Sequence, residues 1–459
     1  MRSTLLIRTG SAIVLAAGLC RAATDYSLID AIKRRDIKAA STLIAKRANI
    51  DAALPDGATA LAWAVFLDLQ DTALKLIDTG ASVNTAGDYG ETPLTLALAN
   101  GNAVLSARLL KAGANPNMTR WNGETALMIA AGAGSVEEVK LLLDAGLDVN
   151  VQESEKGQSA LMWAAAEGHP DVVDLLIQRG GSVNAASKKG FTPLIFATMK
   201  NDSASIRHLI KAGADPNYAL PDKDKTRMLV VAGAYHSTEA AIALLDGGAN
   251  PNVADHTGKT PLHMAAQSGS LDLVKKLISK GANLDAKTAK APPAEDFAFR
   301  RAGGEQTALL LAAKFNHVDV MRALIDAGAD VKLKNQDGAS LFLAAAGSGH
   351  ITAAQLAYHY DKDVKAVDNF GFTAMHESMS GTANLATQLE LTELVQYLSD
   401  IGVPLDEPDS RGRTPIQIGD IIPLDQPIQR IADIIISRGA TPRYFPKEYV
   451  KPTAAAALK

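Results

Sequence analysis

The segment KGQSALMWAAAEGHPDVVDLLIQRGGSVNA, residues 156–185, holds the pattern that decides the fold. Two short apolar runs are joined by EGHP and closed by GGSVNA. The pattern returns about every 33 residues, and a repeat of this length is typical of a solenoid, whose units bury their apolar faces against each other. A threonine or serine near the start of each unit marks the repeat at Thr59, Thr92, Thr125, Ser159, Thr192, Thr260, Thr307, Ser340, Thr373 and Thr414, and Arg227 takes the slot after Thr192.

The unit beginning TPLHMAAQSG, residues 260–269, shows why each repeat predicts two helices. Thr260 can cap a helix whose first residue is Pro261, where a missing backbone N–H has no helical partner to lose. Apolar residues then recur at helical spacing in this run and again in the run from Leu271. Gly281 follows the second run, where a left-handed cap is least costly for glycine.

Three segments carry a resemblance to a known family. GETPLTLALANGN (90–102), GETALMIAAGAGS (123–135) and GKTPLHMAAQSGS (258–270) resemble the G-x-T-P-L-H-x-A-A core of the ankyrin repeat family. The resemblance extends over about residues 25–440. It implies an all-α solenoid of about twelve helix-turn-helix units joined by short β-hairpin-like turns.

Departures from the repeat suggest how the chain is organised. We expect a signal peptide at 1–22, an N-terminal capping repeat at 23–54, ankyrin repeats at 55–286, an insertion loop at 287–306, further ankyrin repeats at 307–408 with an insertion near 378–390, a C-terminal capping repeat at 409–440 and a mobile tail at 441–459.

The N-terminus has the pattern of a secretory signal. Arg2 and Arg8 precede the apolar stretch 11–19, and small residues favour cleavage after Ala22. The stretch is too short for a membrane span, so we expect a mature chain without one, in the periplasm or secreted. An uncleaved or cytosolic start is the alternative. Cys20 is the only cysteine, so a cleaved chain would contain no thiol.

Composition restricts the class of partner. Aromatic residues make up only 5% of the 459 residues, which suits many small helices packed closely. The formal net charge is −4 with both signs interspersed, so the basic surface expected of a nucleic-acid-binding protein is missing. We therefore expect a protein partner, no nucleic acid, and a monomeric chain.

The sequence offers no convincing catalytic residues, cofactor site or metal site. HTGKT at 256–260 resembles the end of a phosphate loop, but Val253 stands where that loop needs its first glycine. The family resemblance implies instead that His263 and His376 bond to backbone between repeats. We expect Trp63 and Trp163 to lie in the core.

The resemblance also implies that partners bind at the turn tips and at the inner face of the first helices. Trp121 is the strongest tip residue, since it lies beside Gly123 with little core to fill. The alternative for each such residue is packing on a neighbouring turn. The partner-binding residues we expect are Tyr89, Trp121, Asn122, Lys188, Lys189, Phe191, Tyr235, Phe315 and Phe370, with Phe66 and Phe372 as further candidates.

The function that these observations favour is an exported, non-enzymatic scaffold for protein–protein interaction. One alternative is an accessory or chaperone subunit of an exported enzyme, with a redox or stress-protective role. A second is a secreted effector that binds host proteins. A third is an enzyme whose site lies in the 287–306 insertion, where Glu295, Asp296, Arg300 and Arg301 could form a polar cluster.

Overall fold

A computed structural model describes residues 25–292, 303–380, 386–421 and 427–441. The chain divides into two compact units between Ala126 and Leu127. The helices of the first unit are α1 (Ser27–Lys33), α2 (Ile37–Ala45), α3 (Ala60–Phe66), α4 (Gln70–Thr79), α5 (Pro93–Ala99) and α6 (Ala103–Lys111).

The second unit shows the same alternation of short helices, and its first helix begins at Ala126, the last residue of the first unit. Its helices are α7 (Ala126–Ala133), α8 (Val136–Asp144), α9 (Ala160–Glu167), α10 (Pro170–Gln178), α11 (Pro193–Met199), α12 (Ser203–Lys211), α13 (Met228–Ala234), α14 (Thr238–Asp246), α15 (Pro261–Ser268), α16 (Leu271–Ser279), α17 (Ala308–Lys314), α18 (Val318–Asp326), α19 (Leu341–Ala346), α20 (Ile351–Tyr360), α21 (Ala374–Met379), α22 (Gln388–Asp400), α23 (Pro415–Ile421) and α24 (Pro427–Ser437).

The helices form two rows within each unit. In the first unit α1, α3 and α5 pack in sequence, and α2, α4 and α6 pack beside them. In the second unit the odd-numbered helices from α9 to α23 form one row and the even-numbered helices from α8 to α24 form the other. The twelve helix pairs of the described chain confirm the predicted all-α solenoid of helix-turn-helix units.

The turns between pairs are hairpin-like, as predicted. Single antiparallel bridges close several of them, and the described residues form no longer strand. These bridges join Ala53 to Thr59, Thr119 to Thr125, Gln152 to Ser159 and Ala219 to Arg227.

Short polar side chains begin many of the first helices. Thr59 accepts a hydrogen bond from the Ala62 amide at 3.2 Å, and Thr307 accepts one from the Leu310 amide at the same distance. Each bond satisfies a backbone N–H that has no partner inside the helix. Arg227 occupies the equivalent slot before α13 without a side-chain cap.

A ladder of asparagines ties the second helices together on the exposed side. In the first unit Asn84 donates through Nδ2 to the Gly113 carbonyl at 3.0 Å and accepts from the Asn115 amide at 2.7 Å. A carboxamide suits this position because it can donate and accept at once. In the second unit the same bond to a glycine carbonyl, each 3.1 Å long, is made by Asn150, Asn184, Asn217 and Asn252.

The predicted insertion at 287–306 has a closed base. The Thr288 amide donates to the Gln306 carbonyl, and the Gln306 amide donates to Thr288 Oγ1, both over 3.0 Å. Ala291 is held by the next turn, because its amide donates to Gln336 Oε1 at 2.9 Å and its carbonyl accepts from Gln336 Nε2 at 3.0 Å.

Several predicted features lie outside the described residues. They are the signal peptide at 1–22, the polar cluster of Glu295, Asp296, Arg300 and Arg301, residues 381–385 of the second insertion, and the tail from residue 442 onward.

Candidate functional site

The turn tips of the first unit are joined to one another by their backbones. The Asp88 amide donates to the Asp56 carbonyl at 2.9 Å, and the Trp121 amide donates to the Tyr89 carbonyl at 3.1 Å. Each tip therefore rests on the tip before it. Side chains at these positions are held by fixed backbone, which lowers the conformational entropy that a partner must remove on binding.

The second unit uses the same link between tips. The Lys188 amide donates to the Lys156 carbonyl at 2.9 Å, and the Ser410 amide donates to the Phe370 carbonyl at 2.8 Å. Phe370 is 39% exposed and Lys188 and Lys189 are both exposed. The tips of this unit thus present both cations and an aromatic ring to solvent.

Two predicted tip residues of the first unit are strongly exposed. Trp121 is 70% exposed, more than any other large apolar side chain in the described part of the chain, and Tyr89 is 65% exposed. Large aromatic side chains are enriched among the residues that dominate binding energy at interfaces. The structure therefore places both residues where a partner can reach them.

Asn122 has a different environment from its neighbour Trp121. Its Nδ2 donates to Glu124 Oε1 at 2.6 Å, and its Oδ1 accepts from the Glu124 amide at 3.2 Å. Glu124 also pairs with Arg120 at 3.0 Å. The side chain of Asn122 therefore stabilises its own turn.

The turn before α9 is shaped by a buried carboxylate. Burial by itself raises the pKa of Glu153, but hydrogen bonds from the amides of Gln158, Lys156 and Glu155 outweigh it and hold the pKa below its usual range. These bonds are between 2.6 and 2.9 Å long. The anionic Glu153 thus fixes the turn whose carbonyl at Lys156 supports the Lys188 tip.

The other predicted aromatic residues differ in solvent exposure and in their contacts with neighbouring rings. Tyr235, just after α13, is 55% exposed. Phe191 is half-buried and makes an edge contact with Phe196, with ring centroids 5.8 Å apart. Phe315 is half-buried and stacks on His317 at 6.5 Å. The last two residues contact other rings of the repeat as well as solvent.

Three of our expectations about burial were wrong. Phe372, a candidate tip residue, is only 7% exposed and its ring lies 5.1 Å from that of His376. Trp63 and Trp163, expected in the core, are half-buried. The indole Nε1 of each tryptophan is itself buried and has no hydrogen-bond partner.

The predicted histidine bridges between repeats are confirmed. His263 Nε2 lies 2.9 Å from the Gln306 carbonyl, and His376 Nε2 lies 3.0 Å from the Arg413 carbonyl. A carbonyl only accepts, so each Nε2 carries the proton and each ring donates to the following repeat. The two histidines therefore stabilise the contact between consecutive repeats.

The structure brings together residues that we predicted separately. Phe66, an inner-face candidate, and Tyr89, a tip candidate, line one cavity of about 290 Å³ with Trp63. Phe66 ends a first helix and Tyr89 lies on the next tip. This spacing along the chain is the sequence signal that could have identified the cavity.

Among the described residues, no three histidine, cysteine or acidic side chains gather closely enough to hold a metal ion. None of the described helices combines the length and the apolar character that crossing a bilayer requires.

Curated proteins similar to this chain are much longer than the shared part. The human transient receptor potential cation channel subfamily A member 1 is 26% identical over 272 residues, which are 51% of this chain and 23% of the channel. The E3 ubiquitin-protein ligase KEG of Arabidopsis thaliana is 25% identical over 272 residues, 16% of its length. The ankyrin repeat and KH domain-containing protein mask-1 of Caenorhabditis elegans is 29% identical over 149 residues, 5% of its length.

Among solved structures, the human ASB11 ankyrin repeat domain matches 49% of this chain and 98% of its own, with 24% identity and a TM-score of 0.44. The family model described as ankyrin repeats (3 copies) matches residues 83–153, 148–219, 194–288 and 309–389, which together exceed half of the chain. Ankyrin repeats are protein–protein interaction modules and are typically non-enzymatic. With the helix pairs, the threonine caps and the histidine bridges in place, the chain belongs to the ankyrin repeat family.

Proposed function

We propose that this chain is an exported, non-enzymatic scaffold that binds a protein partner through its turn tips and the inner face of its first helices. The observation that carries the proposal is the tip row of the first unit, where backbone hydrogen bonds hold Tyr89 and Trp121 while their rings stay 65% and 70% exposed. Rigid exposed aromatics give a partner large contact area at low entropic cost.

Site-specific photocrosslinking in the producing cell tests the scaffold role. A photoreactive amino acid at Tyr89 or Trp121 is expected to capture one defined protein. The matched control is Asp71, an exposed residue on α4 in the same unit. Equal capture at all three positions, or none at Tyr89 and Trp121, would contradict binding at the tips.

The identity of the captured protein also separates the more specific roles. An exported enzyme would point to an accessory or chaperone subunit, and a host protein would point to a secreted effector. A Trp121→Ala, Tyr89→Ala variant, purified beside the native chain, is expected to lose the captured partner and keep its helical circular dichroism, because both side chains are exposed.

Support for export comes from the sequence alone: Arg2 and Arg8, the apolar stretch 11–19 and the small residues before Ala23. The test is the intact mass of the protein recovered from the periplasm or the medium. We expect a chain that begins at Ala23. Full-length protein found only in the cytosol would contradict export and leave the binding role to be judged by crosslinking.

A further inference from the structure

The first unit contains a cavity of about 290 Å³ between α3, the start of α5 and the two tips that precede these helices. We call it the Trp63 pocket. Pockets that take drug-sized ligands run from about 300 to 1,000 Å³, so this pocket lies at the lower end of that range and has room for one long side chain of a partner. Its lining residues include three with aromatic side chains and three with acidic side chains, namely Trp63, Phe66, Tyr89, Asp56, Asp88 and Glu91.

The aromatic wall is suited to a cation. The rings of Trp63 and Phe66 meet edge to face with centroids 5.7 Å apart, and Phe66 and Tyr89 are 55% and 65% exposed. The face of such a ring attracts a positive charge, and tryptophan does so most strongly. The unit already shows this, because Lys33 Nζ lies 4.6 Å from the centroid of Trp63, although Lys33 is not among the residues that line the pocket.

The acidic residues that line the pocket are not paired with any cation among the described residues. Asp56 accepts a hydrogen bond from the Ala58 amide at 3.0 Å, within its own turn. In the part of the chain that the structure describes, none of Asp56, Asp88 and Glu91 forms a salt bridge. Three acidic side chains without an ion pair in the described chain, against one nearby cation at Lys33, favour a cationic guest over a neutral one.

A second tryptophan shows that the repeat does not require this combination. Trp163 follows Ser159 by the same interval that separates Trp63 from Thr59. Around Trp163, however, Lys156, Lys188 and Lys189 occupy the slots of Asp56, Asp88 and Tyr89, and alanine replaces Phe66. Phe191 takes the slot of Glu91, so all three acids are replaced while the fold is the same. The repeat fold therefore does not require the acids of the Trp63 pocket.

We propose that the Trp63 pocket binds an arginine side chain of the partner protein. Arginine fits better than lysine, because its planar guanidinium can stack on an aromatic face while its fork of N–H groups pairs with a carboxylate. This inference rests on the proposed scaffold function, in that the arginine belongs to a protein partner.

Fluorine NMR of the full chain tests the inference directly. The three tryptophans are replaced by 5-fluorotryptophan, and each resonance is assigned with a Trp→Phe variant. The probe is the peptide acetyl-Gly-Gly-Arg-Gly-Gly-amide. We expect a saturable shift of the Trp63 resonance, while the resonances of Trp163, in its basic surroundings, and of the exposed Trp121 stay unchanged.

Matched peptides separate charge from shape. A citrulline peptide keeps the size and planarity of arginine without its charge, and we expect it to bind at least tenfold more weakly. A lysine peptide is expected to fall between the two. Equal binding of citrulline, equal shifts of all three tryptophans, or no shift at Trp63 would overturn the inference. So would free arginine that binds as tightly as the peptide, since it would point to a small-molecule ligand.

Variants then assign the shift to the pocket. Asp88 is exposed, and its side chain makes no hydrogen bond to any described residue, so Asp88→Asn should preserve the fold and weaken arginine-peptide binding at least fivefold. Phe66→Leu should weaken it as well. Asp71→Asn, at an exposed carboxylate on α4 outside the pocket, is the control and should leave it unchanged. Photocrosslinking tests the scaffold role independently of this pocket. If a partner is captured but the arginine peptide does not bind, the pocket inference is contradicted and the scaffold role is not.

Discussion

At the scale of single residues, buried polar side chains join each repeat to the next. His263 is 1% exposed, accepts the Thr260 amide at Nδ1 over 3.1 Å and donates to the Gln306 carbonyl through Nε2. Burial lowers the pKa of His263 below that of a free histidine. The ring is therefore neutral when folded, and its two nitrogens satisfy two different repeats.

His263→Gln should lower the free energy of unfolding at neutral pH by about 1–3 kcal/mol, because buried backbone groups lose their partners. The unfolded chain takes up a proton at this position below about pH 6.5, whereas the folded chain does so only at lower pH, because burial lowers the pKa of His263. The stability from this site is therefore lost progressively as pH falls below about 6.5 towards the lowered pKa of the folded state, and the variant should lose this part of the pH dependence. Urea unfolding at pH 7.5 and 5.5 measures both effects.

His256→Gln is the matched control, because His256 lies on an exposed tip with its side chain 67% accessible. It should leave the urea midpoint at pH 7.5 unchanged, because its 3.7 Å contact with Asp224 is exposed to solvent. If the two variants behave alike, the buried bonds of His263 are not the cause.

At the scale of elements, threonine, proline and glycine are local signals, and they placed the helix pairs correctly from sequence. The surface was harder to predict, because exposure depends on what the neighbouring repeats contribute. Phe372 has the sequence position of a tip residue, yet it packs on His376. The Trp63 pocket combines residues of two consecutive tips and two helices, and no single repeat contains it.

Arg227→Thr should stabilise α13 by about 0.5–1 kcal/mol, because it supplies the missing hydroxyl acceptor at the helix start. The exposed bond from Arg227 to the Asn217 carbonyl would be lost, at small cost. Hydrogen exchange of the Val230 and Val231 amides measures the gain as increased protection. The reverse change, Thr307→Arg, removes the existing cap of α17 and should reduce protection there by a similar factor.

Two glycines with similar backbone angles should respond differently to alanine. Gly281 has φ +78° and open space around a new Cβ, so Gly281→Ala should cost only the left-handed conformation, about 1–2 kcal/mol. Gly258 has φ +74°, but its Cβ would lie 2.6 Å from the Ala289 amide nitrogen, which bonds to the Thr257 carbonyl. Gly258→Ala should therefore cost about 1–3 kcal/mol more. Equal urea midpoints for the two variants would rule out the close approach of the tips.

At the scale of the whole molecule, the described helices other than α7 pack mainly against helices of their own pair and of the adjacent pairs. Such a structure behaves nearly as a one-dimensional array, in which stability is a sum of unit and nearest-neighbour terms. A local defect should therefore remain local.

Leu244→Ala tests this in the second unit. Leu244 is fully buried on α14, and its truncation should cost about 2–5 kcal/mol locally. Hydrogen exchange should accelerate in α11 to α16 and stay unchanged in α20. Lys275→Ala, on the exposed side of α16, is the control and should change neither region. Acceleration that extends equally to α20 would show a single cooperative core instead.

The asparagine ladder has a mechanical consequence. Its rungs, such as those of Asn217 and Asn252, lie in series along the stack, each joining one pair to the next by hydrogen bonds of about 3 Å. Under tension applied to the ends of the second unit, the rungs would yield one after another. Each event would free about one repeat of 33 residues, or roughly 110 Å of extended chain. The second unit would therefore lengthen in steps of similar size.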